Sequence, residues 1–218
     1  MINFNISWVR GFFNDGIHDF FLKDGTKKQV EMFVADSLCQ FVENDDFYLF
    51  GEFLIDGSSL LYIILPKENK TLENILEKLE TEQLYNLIRF AEAEVKKIRI
   101  PKFIVESETD LSERLRKMEM EFVFDSQEWN FDNVCENYEN LHISSILQNL
   151  SINVNVKGIG DNIIHENEPL SEEGVHEITV DRPFVYMLVT KCRGVMWTKP
   201  EHFNIILTGI VCDPTQNT

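Results

Sequence analysis

Basic residues are scarce: 20 Lys and Arg stand against 37 Asp and Glu, giving a formal charge of −17 at pH 7. That deficit argues against nucleic acid and anionic membrane as partners, because phosphate repulsion would oppose the counterion release that drives such binding. Long apolar runs are missing too, and nothing approaches the roughly 18 consecutive apolar residues of a bilayer-spanning helix. The N-terminal MINFNISWVRGFF lacks a basic leader and a continuous apolar segment. No signal peptide is expected on that pattern, which points to the cytoplasm. Cysteine is limited to Cys39, Cys135, Cys192 and Cys212, with no C-x-x-C pair. Neither a zinc cluster nor a dense disulfide framework fits such spacing, so reduced thiols are expected. The five histidines, His18, His142, His165, His176 and His202, show no H-x-x-x-H spacing, and no metal site is expected. Nucleophile elbows, S-x-x-K and phosphate-binding glycine loops are absent, and Gly158-Ile159-Gly160 lacks the third glycine of a dinucleotide fingerprint. Neither catalysis nor a cofactor is expected.

What is present is the material of a packed core. Hydrophobic residues make up 44% of 218, with 17 Phe, enough for one sizeable domain. Residues 1–13 alternate, placing Ile2, Phe4, Ile6 and Trp8 on one face of a predicted strand. Asp15-Gly16, Asp24-Gly25 and Asp56-Gly57 are predicted turns. The last precedes a buried-strand run, Leu60 to Leu65, closed by Pro66. Helical spacing follows, with Leu72, Ile75, Leu76 and Leu79 behind Thr71 as N-cap. Thr81 is the expected cap of a second helix carrying Leu84, Leu87 and Ile88. Alternation returns over 94–100, a short helix is predicted through Leu111, Leu115 and Met118, and 143–156 reads as extended. Residues 177–189 and 203–211 are the closing strands. The overall expectation is an α+β fold, mostly β in its second half.

Residues 157–175 break the pattern. They are rich in Gly, Asp, Asn, Glu and Pro, and their apolar residues keep no period. A structureless stretch of that length inside a compact domain reads as a functional or disordered loop.

Several segments, in order, resemble the serpin family of serine protease inhibitors. Asn5-Ile6-Ser7-Trp8-Val9-Arg10-Gly11 is similar to N-A-x-Y-F-K-G, and Val30-Glu31-Met32-Phe33 to V-x-M-M. Ile100-Pro101-Lys102-Phe103 resembles L-P-K-F, with Asp110-Leu111 for the following Y-D-L. Ile152-Asn153-Val154-Asn155, with Gly158 after it, is similar to I-x-V-N-E-E-G, the entry to the reactive-centre loop. Val180-Asp181-Arg182-Pro183-Phe184 resembles A-D-R-P-F, and 207–214 resembles L-F-x-G-R-V-x-x-P. Together they cover essentially the whole chain, but only the later part of the family pattern. Met1 stands four residues before Asn5. The expectation is a single partial serpin domain over 1–218 that lacks the N-terminal helical region.

The resemblance implies mixed β-sheets, a few short helices and an exposed reactive-centre loop at about 157–176. A protease cleaves that loop and is trapped as an acyl-enzyme while the loop inserts into the main sheet. The family's spacing between hinge and A-D-R-P-F puts the scissile bond at Glu172-Glu173. The hinge is Gly158, Ile159, Gly160, Asp161 and Asn162, where inhibitory members carry small residues. In the family's register Ile159, Asp161, Ile163 and His165 point inward. Burying the Asp161 carboxylate costs several kcal/mol, and Ile159 and Ile163 are expected to overpack by about 1–3 kcal/mol each. The expected function is that of a serpin with weak or no inhibition, the alternative being a working serine or cysteine endopeptidase inhibitor. Expected partners are a protease target and a second copy of the chain. The latter would bind a sheet face left open where Ile2, Phe4, Ile6 and Trp8 lack covering helices. The family also implies extracellular space as the alternative location.

Overall fold

The computed structural model describes residues 2–3, 6–125, 142–160, 175–191 and 203–216. In chain order the strands and helices are β1 (Ile2–Asn3), β2 (Ile6–Ser7), β3 (Phe13–Phe21), β4 (Lys27–Glu43), β5 (Phe47–Phe53) and β6 (Ser59–Pro66), then α1 (Leu72–Lys78) and α2 (Thr81–Phe90). They continue with β7 (Glu92–Pro101), β8 (Phe103–Asp110), α3 (Ser112–Lys117), a 3-10 turn (Glu121–Phe124), β9 (Leu147–Asn155) and β10 (Gly158–Ile159). The chain closes with β11 (Glu177–Thr179), β12 (Phe184–Lys191) and β13 (Phe203–Val211). Contacts divide it into a larger unit, from residues 4–105 and 152–217, and a smaller one, from 1–3, 106–151 and Thr218.

The larger unit is organised by a sheet ordered β11-β7-β4-β5-β6-β12-β13, with β3 also paired to β4. All eight residues of β6 are buried, because this central strand is covered on both faces. Leu60, Tyr62 and Ile64 face α1 and α2, where Leu72, Ile75 and Ile88 complete one apolar cluster. Leu61, Ile63 and Leu65 face the other way, into a larger cluster with Trp8, Phe33, Phe103 and Val154. Thr71 caps α1, its hydroxyl accepting from the Asn74 N–H. The cap of α2 is Glu80 rather than the expected Thr81, and the Gln83 side chain reaches back to the Glu80 N–H.

Two expected turns are present, at Asp24-Gly25 in the β3–β4 connection and at Asp56-Gly57 between β5 and β6. The third is a correction: Asp15-Gly16 lies within β3, where the register shifts between Asn14 and Gly16. Gly16 has a φ of 87°, and the same conformational freedom that suits glycine to a turn lets it absorb a bulge. The strand predicted over 1–13 is also interrupted, because Trp8 leaves the ladder of β2 and bridges Leu54. Trp8 is 2% exposed and packs on Phe12 and Phe33 with ring centroids 5.1 and 6.3 Å away, while Ile6 packs partly buried on the same cluster. The open apolar face expected from Ile6 and Trp8 is therefore not formed by them. Among the described residues, exposed apolar side chains lie instead on β3, at Phe13, Ile17 and Phe21, and on β13, at Ile205, Ile206 and Ile210.

In the smaller unit, β1 runs parallel to the start of β9, with Ile2 opposite Leu150 and Asn3 opposite Ser151. Asp110 accepts from the Ser112 N–H at the head of α3, and the Ser112 hydroxyl accepts from the Ile146 N–H at 2.9 Å. Leu111 closes the same junction by donating its N–H to the Ile146 carbonyl at 2.8 Å.

Candidate functional site

The long segment that drew attention in the sequence begins inside a second sheet, ordered β1-β9-β10-β2 with β8 also paired to β9. Gly158–Ile159, expected at the start of an exposed loop, forms β10, antiparallel to β9 on one side and to β2 on the other. Ile159 pairs with Val154 and Ile6 and has no exposed surface. Gly158 makes this close approach possible: its φ is 137°, and a Cβ there would collide with the Ile6 carbonyl and lie 2.7 Å from Ser7 Cα.

Asn155, the last residue of β9, gathers the bonds around this turn. Its carbonyl accepts from the Trp8 indole at 2.9 Å. Its side-chain oxygen accepts from the Lys157 N–H at 2.9 Å, and its amide nitrogen donates to the Gly160 carbonyl at 2.9 Å. Gly160 donates its own N–H to the Asn153 carbonyl at 2.8 Å. A cleft of about 320 Å³ lies beside this turn, lined by Asn14, Glu31, Phe33, Lys102, Asn153 and Lys157. Glu31 and Lys102 form an ion pair at 3.2 Å there.

The segment is held just as firmly where it returns. His176 accepts from the Lys97 N–H, and β11 then runs parallel to β7 with Ile178 opposite Ile98. Arg99 binds both Asp15 and Glu177 through its guanidinium and reaches the Thr179 hydroxyl at 3.1 Å. Partial burial works against the Asp15 carboxylate, but Arg99 outweighs it and, with His18, holds the carboxyl below its usual range. Beyond β11, Arg182 donates to the Pro66 carbonyl at 2.7 Å and to Asp181, while Phe184 meets Phe103 edge-on at 5.4 Å. The segment is thus anchored before Asp161 by the buried β10 of one sheet and after Gly174 by β11, an edge strand of the other sheet in which Ile178 is buried.

A family model described as Serpin (serine protease inhibitor) matches residues 1–197. The chain belongs to the serpin family. Human glia-derived nexin is 29% identical over 175 residues, covering 78% of this serpin and 44% of the relative. The rat protein of the same name is 27% identical over 171 residues, covering 76% and 43%. This serpin therefore spans less than half the length of these curated relatives. Solved structures share the fold: human thyroxine-binding globulin in complex with thyroxine has a TM-score of 0.77 at 18% identity, covering 97% of this chain and 54% of its own. Serpin48 of the insect Tenebrio molitor has a TM-score of 0.72 at 21% identity, covering 96% and 53%.

Of the residues singled out in the sequence, Gly158, Ile159 and Gly160 are brought together at β10. Asp161, Asn162, Glu172 and Glu173 lie outside the described residues, as do Ile163 and His165. The sequence motifs contained Asn153 and Asn155, as the entry to the loop, and Trp8, in the opening strand, but gave none of them a bonding role at the hinge. The signal for the asparagines was there, since they alternate with Ile152 and Val154 and so fall on the opposite face of β9 from the core. Among the described residues no group of three or more His, Cys, Asp or Glu could hold a metal, and Cys39 and Cys212 are free thiols.

Proposed function

We propose that this serpin acts as a protease-directed bait protein of the serine protease inhibitor type, with residues 161–174 as the bait and Glu172-Glu173 as the scissile bond. The observation that supports this reading is the seating of β10 between β2 and β9, with β11 paired to β7 on the far side of 161–174. A protease serine attacks the Glu172 carbonyl, the Glu172–Glu173 peptide bond breaks, and the Glu173 amine leaves with the proton. An acid-preferring specificity pocket suits Glu172. The outcome then depends on whether β10 lengthens before water hydrolyses the ester.

Alternation makes that lengthening costly. Ile159 is buried, so a strand extended by two residues carries Asp161 toward the same side. An unpaired carboxylate there is expensive, and each ~1.4 kcal/mol on the insertion barrier slows it tenfold. Hydrolysis wins in that race, leaving a substrate or weak inhibitor. One observation favours the inhibitory alternative: Ile159 already occupies its core position before cleavage, so its bulk adds nothing to the barrier.

The test is incubation with serine proteases of acid, basic and aromatic preference, followed by denaturing electrophoresis and mass spectrometry. Nicking between Glu172 and Glu173 without a stable adduct is expected, preferentially by the acid-preferring enzyme. An SDS-stable covalent complex would overturn the weak-inhibitor reading, and absence of any cleavage within 161–174 would overturn the bait reading.

A further inference from the structure

We propose that Asn155 is a positioning residue that clasps β10 into the sheet and thereby sets how far the bait loop is drawn in before a protease arrives; this rests on the bait reading of 161–174. A two-residue strand has little to hold it. Its ladder partners are only Asn155 and Val154 on one side and Ser7 and Ile6 on the other. Backbone bonds from Gly160 to the Asn153 carbonyl and from Trp8 to the Lys157 carbonyl flank it, and Asn155 adds two more from a single side chain, accepting from the Lys157 N–H before β10 and donating to the Gly160 carbonyl after it. The asparagine is itself fixed, because its carbonyl accepts from the indole of Trp8, a ring in mutual contact with Phe12 and Phe33. The two bonds therefore bracket Gly158–Ile159 and close the turn on a rigid aromatic base. Loss of the clasp frees the Lys157 and Gly160 bonds while leaving the core clusters intact, so its effect is local opening.

Hydrogen–deuterium exchange of the full chain, read by mass spectrometry, separates this role from general stability. Peptides covering 157–160 are compared with peptides from β6 in the parent chain, Asn155→Ala and Asn155→Asp. Two net hydrogen bonds of ordinary strength imply exchange over 157–160 about thirtyfold faster in Asn155→Ala, with β6 unchanged. Asn155→Asp keeps the acceptor for Lys157 but loses the donor to Gly160, and its exchange is expected to fall between the two. Unchanged exchange over 157–160 in both variants overturns the clasp. A parallel rise in β6, including outright unfolding, overturns it as well by assigning Asn155 to the whole fold. No protease enters the measurement, so a chain that is never nicked in 161–174 refutes the bait reading without touching the exchange result.

Discussion

Glu52 is expected to weaken the fold between pH 4.5 and 8, and the size of the loss follows from its surroundings. It lies on β5 opposite Leu61 and is 3% exposed. The Ser37 hydroxyl donates to one carboxyl oxygen at 2.7 Å, whereas the other has no hydrogen-bond partner among the described residues. Burial pushes its pKa from 4.5 up to about 7, with the Ser37 bond opposing the rise. No cation contributes, and the charge it acquires raises the buried Cys39 thiol further, after burial itself.

The sign follows from linkage. Below pH 4.5 the group is protonated in folded and unfolded chains alike, and its neutral form suits the core. As pH rises, the unfolded chain releases the proton first, so stability falls until the folded group has also ionised near 7. The gap between 4.5 and about 7, at about 1.4 kcal/mol per pH unit, amounts to about 3 kcal/mol. Urea unfolding at half-unit steps from pH 4.5 to 8, in the parent chain and in Glu52→Gln, isolates this contribution, because the other titrating groups are common to both. The parent should lose about 3 kcal/mol more than the variant over that range. Glu52→Met, which removes both polar oxygens, should be more stable than the parent at pH 8. Superimposable pH profiles for the parent and Glu52→Gln would refute the reasoning.

Other perturbations test the two ends of the loop. Gly158→Ala sets a Cβ against the Ile6 carbonyl at a φ of 137°, so β10 should leave the sheet. The observable is faster protease nicking within 157–174, at a cost of about 1–3 kcal/mol in urea unfolding. Arg99→Met cuts the bonds to Asp15, Glu177 and Thr179, leaving Asp15 paired with His18 and Glu177 with Lys97. It should cost about 2 kcal/mol and release β11, seen as accelerated exchange over 176–180.

The parts of this fold legible in the sequence are those whose signal is local. Leu60 to Leu65 is apolar on both faces because β6 is covered on both, and Asp56-Gly57 and Thr71 mark boundaries through their own side chains and torsions. Motif order extended that reach, since Asp181-Arg182-Pro183-Phe184 carries the bonds that lead β11 into β12. What escaped the sequence was set by partners far along the chain. Trp8 was assigned to an uncovered face because its alternation with Ile6 was visible, and its burial against Phe12 and Phe33 was not. Glu52 interrupts an apolar strand without any local sign that water is excluded there. Asp15-Gly16 resembles a turn because a bulge makes the same demand on φ.

Ile159 shows why the missing contacts matter for function. By the family's pattern a bulky residue in an inserting hinge counts as a barrier, on the premise that it must travel from solvent into a filled core. Here it pairs with Ile6 and Val154 and is buried, so the fold already holds a space for its side chain. The energetic question therefore moves two residues along the strand. Exchanging Ile159 for a smaller residue would leave a cavity and destabilise β10, whereas replacing Asp161 would lower the cost of the next step. The two substitutions, both remedies by sequence pattern, should act in opposite directions on how firmly the hinge is held.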